Sequence, residues 1–219
     1  MIYDMRTYEI APGRVPDYMK NVKEIAIPIR KDHGVKLGGW YHSEIGPLNQ
    51  VVHIWAYEDM KHLVEGAEAV RADPRWTGEY MPSNRGLVQS QRDAIVFQPD
   101  FAPASYEPVD SAEPRLYDMR IYDIKPGRVP EYMEAVEQVG LPIREELGVK
   151  LAGWFYSEVG TLNQVVHIWA YNDSDDLHRK MRAVYSHPGW AGEYVPRVSG
   201  VIDVQRDQLM RGADFFPGP

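Results

Sequence analysis

The chain has 219 residues, enough to bury a sizeable core in one or two domains without disulfides or metals. It contains no cysteine, which excludes thiol catalysis, disulfide bridges and Cys-ligated zinc or iron–sulfur centres. A formal net charge of −8 argues against nucleic acid as a partner, because neutralising phosphates requires a basic surface.

The first predicted element, Ile2 to Ile10, is rich in β-branched and aromatic residues and stops at Pro12-Gly13. Its alternation places Asp4, Arg6 and Tyr8 on one face and Tyr3, Met5 and Thr7 on the other. Pro16 then opens an amphipathic helix with Val15, Tyr18, Met19, Val22, Ala26 and Ile29 on its apolar stripe; Pro28 is expected to kink or end it. Lys36 to Glu44 reads as a second strand, with Trp40, His42 and Glu44 sharing a face, and Gly46-Pro47 turns it back into the segment Leu48 to Tyr57, LNQVVHIWAY. Asp59 is placed to cap a second helix with Leu63, Val64, Ala67 and Val70 inward. Residues 74–82 read as a loop, and a fourth strand follows near Gly86 to Val96.

LNQVVHIWAY returns unchanged at Leu162 to Tyr171, and residues 3–93 align without a gap on residues 117–207. The six tryptophans form three matched pairs: Trp40/Trp154, Trp55/Trp169 and Trp76/Trp190. This is an internal duplication, and two copies are too few for a solenoid. Each copy reads β-α-β-β-α-β, the ferredoxin-like arrangement, so the expected fold class is α+β. The expected organisation is a first repeat over 1–97, a Pro-rich linker over 98–114, a second repeat over 115–210 and an irregular tail over 211–219. A ferredoxin-like sheet has helices on one face only, and two such sheets in one chain can cover each other as a single-chain pseudo-dimer. The polar and aromatic strand faces are expected to point into the shared lumen, and Gln50, Val52, Ile54 and Ala56 to lie beneath a helix.

The stretches YDMRTYEI, PGRVPDYM, PIRKDHG, GWYHSEIGPLNQVVHIWAYED and ADPRW, repeated in the second half, resemble the NIPSNAP family. The resemblance implies the dimeric α/β barrel superfamily in a fused form. That superfamily includes cofactor-free monooxygenases, haem-using enzymes, isomerases and cyclases, so the resemblance defines fold better than activity.

The presumed inward faces supply the candidate chemistry. His53 is the expected acid/base group, since imidazole titrates near neutrality; the plainer alternative is a buried histidine bonded to Glu44 or Asn49. Arg6 could grip a carboxylate or enolate oxygen, or pair with Asp4 or Glu44. Glu44, Tyr8 and His42 complete the candidate catalytic set. Asp4, Trp40, Asn49, Trp55 and Tyr57 of the first copy, with Arg120, Tyr122, Trp154, Tyr156, His167, Trp169 and Tyr171 of the second, form the expected binding walls. The two functions in view are a small-molecule enzyme, by proton transfer as an isomerase, cyclase or lyase or by monooxygenation of an aromatic or polyketide-like substrate, and a non-catalytic ligand-binding or scaffold protein. No metal or cofactor is expected, although one axial imidazole would suffice for haem. The expected partner is a small hydrophobic or aromatic ligand, with no nucleic acid and no membrane, in the cytoplasm; self-association of the fused unit is left open. The interior discriminates the two functions: a cavity touching His53 favours the enzyme, and a lumen filled by its own side chains favours the scaffold.

Overall fold

A computed structural model describes residues 1–103 and 116–216; most of the expected linker therefore lies outside the described residues. Eight antiparallel strands, β1 (Ile2–Ile10), β2 (Lys36–Ile45), β3 (Gln50–Tyr57), β4 (Val88–Phe97), β5 (Leu116–Ile124), β6 (Lys150–Val159), β7 (Gln164–Tyr171) and β8 (Ile202–Gly212), close into one barrel in the order β1-β3-β2-β8-β5-β7-β6-β4. Each copy thus forms a four-stranded ferredoxin-like sheet, and the two sheets pair sheet to sheet.

Closure is reciprocal. The end of β4 pairs with β6 of the other copy through Ile95, Val96 and Phe97, and the end of β8 pairs with β2. Beyond the strands, Phe101 packs edge-on against Trp154 at 5.5 Å, and its counterpart Phe215 packs on Trp40 at 5.5 Å. Residues 211–216 of the expected irregular tail are structured: β8 runs to Gly212, Ala213 bridges Phe216, and Phe216 is buried.

The hairpin turns depend on left-handed backbone at Asn49 (φ 57°) and Asn163 (φ 56°), a conformation that asparagine tolerates better than most residues. Asp59 caps the second helix, Met60–Ala72, by accepting from the His62 backbone N–H at 2.8 Å. Val70 is buried as expected and Leu63 packs against the core, but Val64 is exposed and Gly66 is buried in its place.

Pro28 neither ends nor breaks the first helix, residues 15–32. The turn before it, Val22–Ala26, widens to a π-helix, and the chain resumes α-helical geometry at Ile27. The same device precedes Pro82, Pro142 and Pro196, after π-helical Trp76–Tyr80, Val136–Gly140 and Trp190–Tyr194. A proline inside an α-helix removes one hydrogen bond and collides with a carbonyl one turn back, and a wider turn accommodates both defects. Within the 74–82 stretch read from sequence as loop, residues 76–82 are helical.

The strand faces are opposite to the sequence expectation. Val52, Ile54 and Ala56 point into the lumen, where they pack with Tyr3, Met5 and Tyr41 against Tyr117, Phe155 and Ile168 of the other copy. An eight-stranded barrel has an interior just wide enough for side chains to fill, and mostly aliphatic groups occupy the middle of this one. Val51, His53, Trp55 and Tyr57 face the helices instead, in a core shared with Tyr18, Val22, Ala26 and Ile29. Among the described residues, no helix is long and apolar enough to cross a membrane.

Candidate functional site

A cavity of about 340 Å³ lies between the first copy's sheet and its helices. Strands β1, β2 and β3 supply its floor through Arg6, Tyr8, Trp40, His53 and Trp55. The first helix contributes Tyr18, Val22, Ala26 and Arg30, and the π-helical turn contributes Trp76, Thr77 and Tyr80. The π-helical turns matter here because both line the chamber. The chamber touching His53 lies on the face opposite to the expected one, while the barrel interior is apolar at its middle and holds a separate polar cavity of about 400 Å³ beside the Pro47 and Thr161 hairpin turns, lined by Thr7, Gln50, Gln164 and Gln208 among others.

Residues two apart on β1 form the first part of the floor. Arg6 donates from Nε to Asp4 Oδ2 at 2.7 Å, its Nη2 lies 2.6 Å from the same oxygen, and its Nη1 donates to Tyr8 Oη at 3.2 Å. Burial opposes the Arg6 charge, but Asp4 outweighs it and the guanidinium pKa is raised. On the neighbouring strand, the His53 ring stacks on Trp40 at 4.5 Å and meets the edge of Tyr8 at 4.6 Å.

The proton on His53 can be placed by elimination. The Trp55 indole N–H donates to His53 Nδ1 at 2.7 Å, and an indole nitrogen can only donate. Nδ1 is therefore the lone-pair nitrogen, and the proton of the neutral ring sits on Nε2. Burial, with the charges of Arg30 and Arg6, pushes the His53 pKa well below its ordinary value, so the ring is neutral. His53 Nε2 is buried and has no partner among the described residues. The sequence expectation of a general base is thereby corrected: this imidazole has no free lone pair and presents an N–H donor. The alternative bonds to Glu44 or Asn49 are not formed either. The same tautomer argues against haem, since an axial imidazole needs an unprotonated nitrogen facing the iron and the one lone pair here is held by Trp55.

Arg30 is a functional candidate the sequence reading missed. Its guanidinium carbon lies 4.1 Å from the Trp55 ring centre and 5.6 Å from that of Trp76, and its Nη1 reaches Tyr57 Oη at 3.4 Å. The signal was available, because PIR at 28–30 returns at 142–144 on the same helical stripe.

The second copy repeats the floor. Arg120 bonds Asp118 at 2.8 Å and Tyr122 at 3.1 Å, Trp169 donates to His167 Nδ1 at 2.7 Å, and Arg144 lies 4.2 Å from the Trp169 ring centre. Here His167 Nε2 meets Tyr132 Oη at 3.4 Å. Burial pushes the Asp118 carboxyl pKa up despite Arg120, and lowers that of His167 as it does for His53. The cavity is smaller, about 290 Å³, and Tyr185 closes on Trp190 at 5.9 Å where the first copy has Arg71.

Other predicted site residues lie elsewhere. Glu44 is exposed and pairs with Arg211 on β8 at 3.3 Å, far from an imidazole-orienting role. Asn49 shapes its hairpin turn and its carbonyl accepts from Ile10 N–H at 2.8 Å. His42 and Tyr156 line a pair of grooves outside the chambers, beside the first helix of each copy. Tyr57, Trp154 and Tyr171 are buried in the cores that support the chambers, with Tyr171 Oη donating to Met181 Sδ at 3.2 Å. Among the described residues, no three histidine, aspartate or glutamate side chains gather as metal ligands.

Seven buried side-chain nitrogen or oxygen atoms lack a partner among the described residues; Trp40 Nε1 and His53 Nε2 belong to the first floor, and Asp4 Oδ1, Asp118 Oδ1 and Trp154 Nε1 to the layer that supports the two floors. Orphaned buried polar atoms are costly, so their concentration at two matched places makes those places the candidate sites of this chain.

Comparison with known proteins agrees with this architecture. The NIPSNAP family profile matches residues 3–103 and again 117–217. Protein NipSnap homolog 3B of Homo sapiens is 27% identical over 216 residues, 98% of this chain and 85% of the relative. Among solved structures, a candidate monooxygenase of Lactobacillus acidophilus NCFM superposes with a TM-score of 0.64 at 12% identity, covering 96% of this chain and 93% of that one. An anthrone oxidase-like protein does so with a TM-score of 0.60 at 11% identity, covering 97% and 91%. At such identities these two structures establish the barrel fold alone. With both of its halves matched by one family profile, the chain belongs to the NIPSNAP family as a tandem, single-chain version of the dimeric α/β barrel.

Proposed function

We propose that the first chamber is a small-molecule active site that binds a flat, oxygen-bearing substrate of the aromatic or polyketide-like class and stabilises its enolate or phenolate form. The proton lost in forming the anion passes to bulk water, since among the described residues no free base lines the chamber, and an anion held this way can isomerise, cyclise, eliminate, or react with dioxygen without a cofactor. The observation that carries the reading is the fixed tautomer of His53: a buried, unpartnered Nε2–H beside the Arg6 guanidinium on the floor of a cavity walled by Tyr8, Tyr18, Trp76 and Tyr80. A preorganised donor aimed at developing negative charge is worth on the order of 100-fold to 1,000-fold in kcat in characterised enzymes. His53 and Arg6 are the stabilising groups, and Trp55 positions His53.

A second reading, a non-catalytic binding protein for the same ligands, draws on a different feature: the chamber lining holds no carboxylate, and Asp4 beneath it is engaged by Arg6. One experiment separates them. 4-Nitrophenol titrated into the protein reports its own ionisation by absorbance, and the bound ligand should ionise at lower pH than the free one, with the shift lost in His53→Leu. An unshifted ionisation in the wild-type protein refutes anion stabilisation. Oxygen uptake with anthrone, a probe suggested by the description of the structural neighbour, then tests turnover: a rate lost in His53→Leu supports the enzyme, and binding without turnover supports the second reading.

A further inference from the structure

The whole chain carries a net charge of −8, yet the first chamber is lined by Arg6, Arg30 and Arg85 and by no aspartate or glutamate. Arg6 is compensated by Asp4 beneath it. Arg30 is 93% buried and, among the described residues, has no carboxylate within ion-pair distance; its contacts are the faces of Trp55 and Trp76 and one long bond to Tyr57. A buried cation without a counter-ion is expensive, and a ring face compensates it only in part. The missing partner has a definite shape. Trp55 and Trp76 lie against the guanidinium, leaving its in-plane N–H groups as the means of further bonding, and a planar fork of this kind matches a carboxylate through two parallel bonds.

We propose that the first chamber is selective for substrates bearing a permanent carboxylate, which Arg30 receives while the reacting oxygen lies at His53 and Arg6. This rests on the small-molecule reading given above and adds the charge class of the ligand: a hydroxylated aromatic acid in place of a neutral phenol or ketone. Arg85, exposed at the rim, adds a third positive charge along the approach, where the second copy has Ser199.

The test compares two probes of nearly equal shape on the wild-type chain by calorimetry, 3-hydroxy-2-naphthoate and 3-hydroxy-2-naphthamide. The acid should bind at least tenfold more tightly than the amide. Arg30→Met should remove that preference by weakening the acid alone, and Arg30→Lys, which keeps the charge but loses the fork, should fall between. Equal affinity of acid and amide in the wild-type protein overturns the carboxylate proposal while leaving the small-molecule site intact. Binding of neither probe counts against both. Because the decisive comparison needs no substitution, a variant that fails to fold does not blunt it.

Discussion

The floors of the two chambers are nearly the same and their walls are not. Asp4, Arg6, Tyr8, Trp40, His53 and Trp55 recur as Asp118, Arg120, Tyr122, Trp154, His167 and Trp169, with hydrogen-bond lengths matching to about 0.1 Å. The walls, carried by helices, differ where access is decided. Ala26 is replaced by Gly140, against which the Tyr194 ring lies so closely that an added Cβ would sit 2.7 Å from it. Thr77, Asn84 and Arg85 give way to Ala191, Val198 and Ser199, and Tyr185 takes the position of Arg71. Strand positions locked into a register on both sides tolerate little change without moving every neighbour, whereas a helix surface at a cavity rim can vary. The first copy therefore holds the larger chamber with the more basic rim, and the second the smaller one.

The largest expected effect is one the two floors share. Burial keeps His53 and His167 neutral in the folded state, with pKa values well below the ordinary one. Below a pH of about 6.5 the unfolded chain binds these protons and the folded chain does not, so stability rises with pH through this window and is lost as pH falls. Each ring should contribute a slope of about 1.4 kcal/mol per pH unit there. His42, lowered by burial as well, adds to this dependence and Asp118, raised by burial, opposes it, so urea unfolding from pH 7 to 5 should show the dependence reduced in His53→Gln and reduced further in the variant with both histidines replaced; an unchanged profile in the double variant breaks the assignment.

The next comparison concerns the interlock. Phe101→Ala and Phe215→Ala each remove a half-buried ring from the other copy's tryptophan, and each should cost about 2–3 kcal/mol, somewhat below the range for a fully buried phenylalanine. Similar losses in the two variants bear out the reciprocity, and an effect confined to one identifies the arm that holds the barrel.

Exchanging the wall residues probes the chambers themselves. Gly140→Ala should push the Tyr194 ring aside at a cost of about 1–3 kcal/mol and enlarge the second cavity, whereas Ala26→Gly should cost about 1 kcal/mol through helix flexibility and leave His53 in place. Thermal unfolding measures the first difference, and 4-nitrophenol affinity the second. The smallest effect belongs to Glu44→Gln: its exposed pairing with Arg211 should be worth no more than about 0.5 kcal/mol, with no change in ligand binding.

How far the sequence could lead is visible in single residues. The β-α-β-β-α-β order, the hairpins and the Asp59 cap are local features and could be read directly. Alternation on β3 showed that His53, Trp55 and Tyr57 share a face, but period two cannot say which face meets the barrel interior. The size of an eight-stranded lumen decides that, and Val52, Ile54 and Ala56 are the side chains that fit it. Arg30 was hidden for a related reason: on a helical stripe it looks like a terminal charge, and only the packed structure brings it over Trp55. The tautomer of His53 follows from a contact between positions i and i+2 that strand alternation allows but does not require.

The crossing of β4 and β8 into the opposite copy bears on what a severed molecule would do. A chain nicked between residues 103 and 116 should remain one particle in native buffer, because each fragment would still own a strand end that completes its neighbour. A half produced alone would carry a bare sheet and an unplugged tryptophan, and its cheapest remedy is to recruit a twin, recreating from two short polypeptides the ring that the fused gene product makes from one.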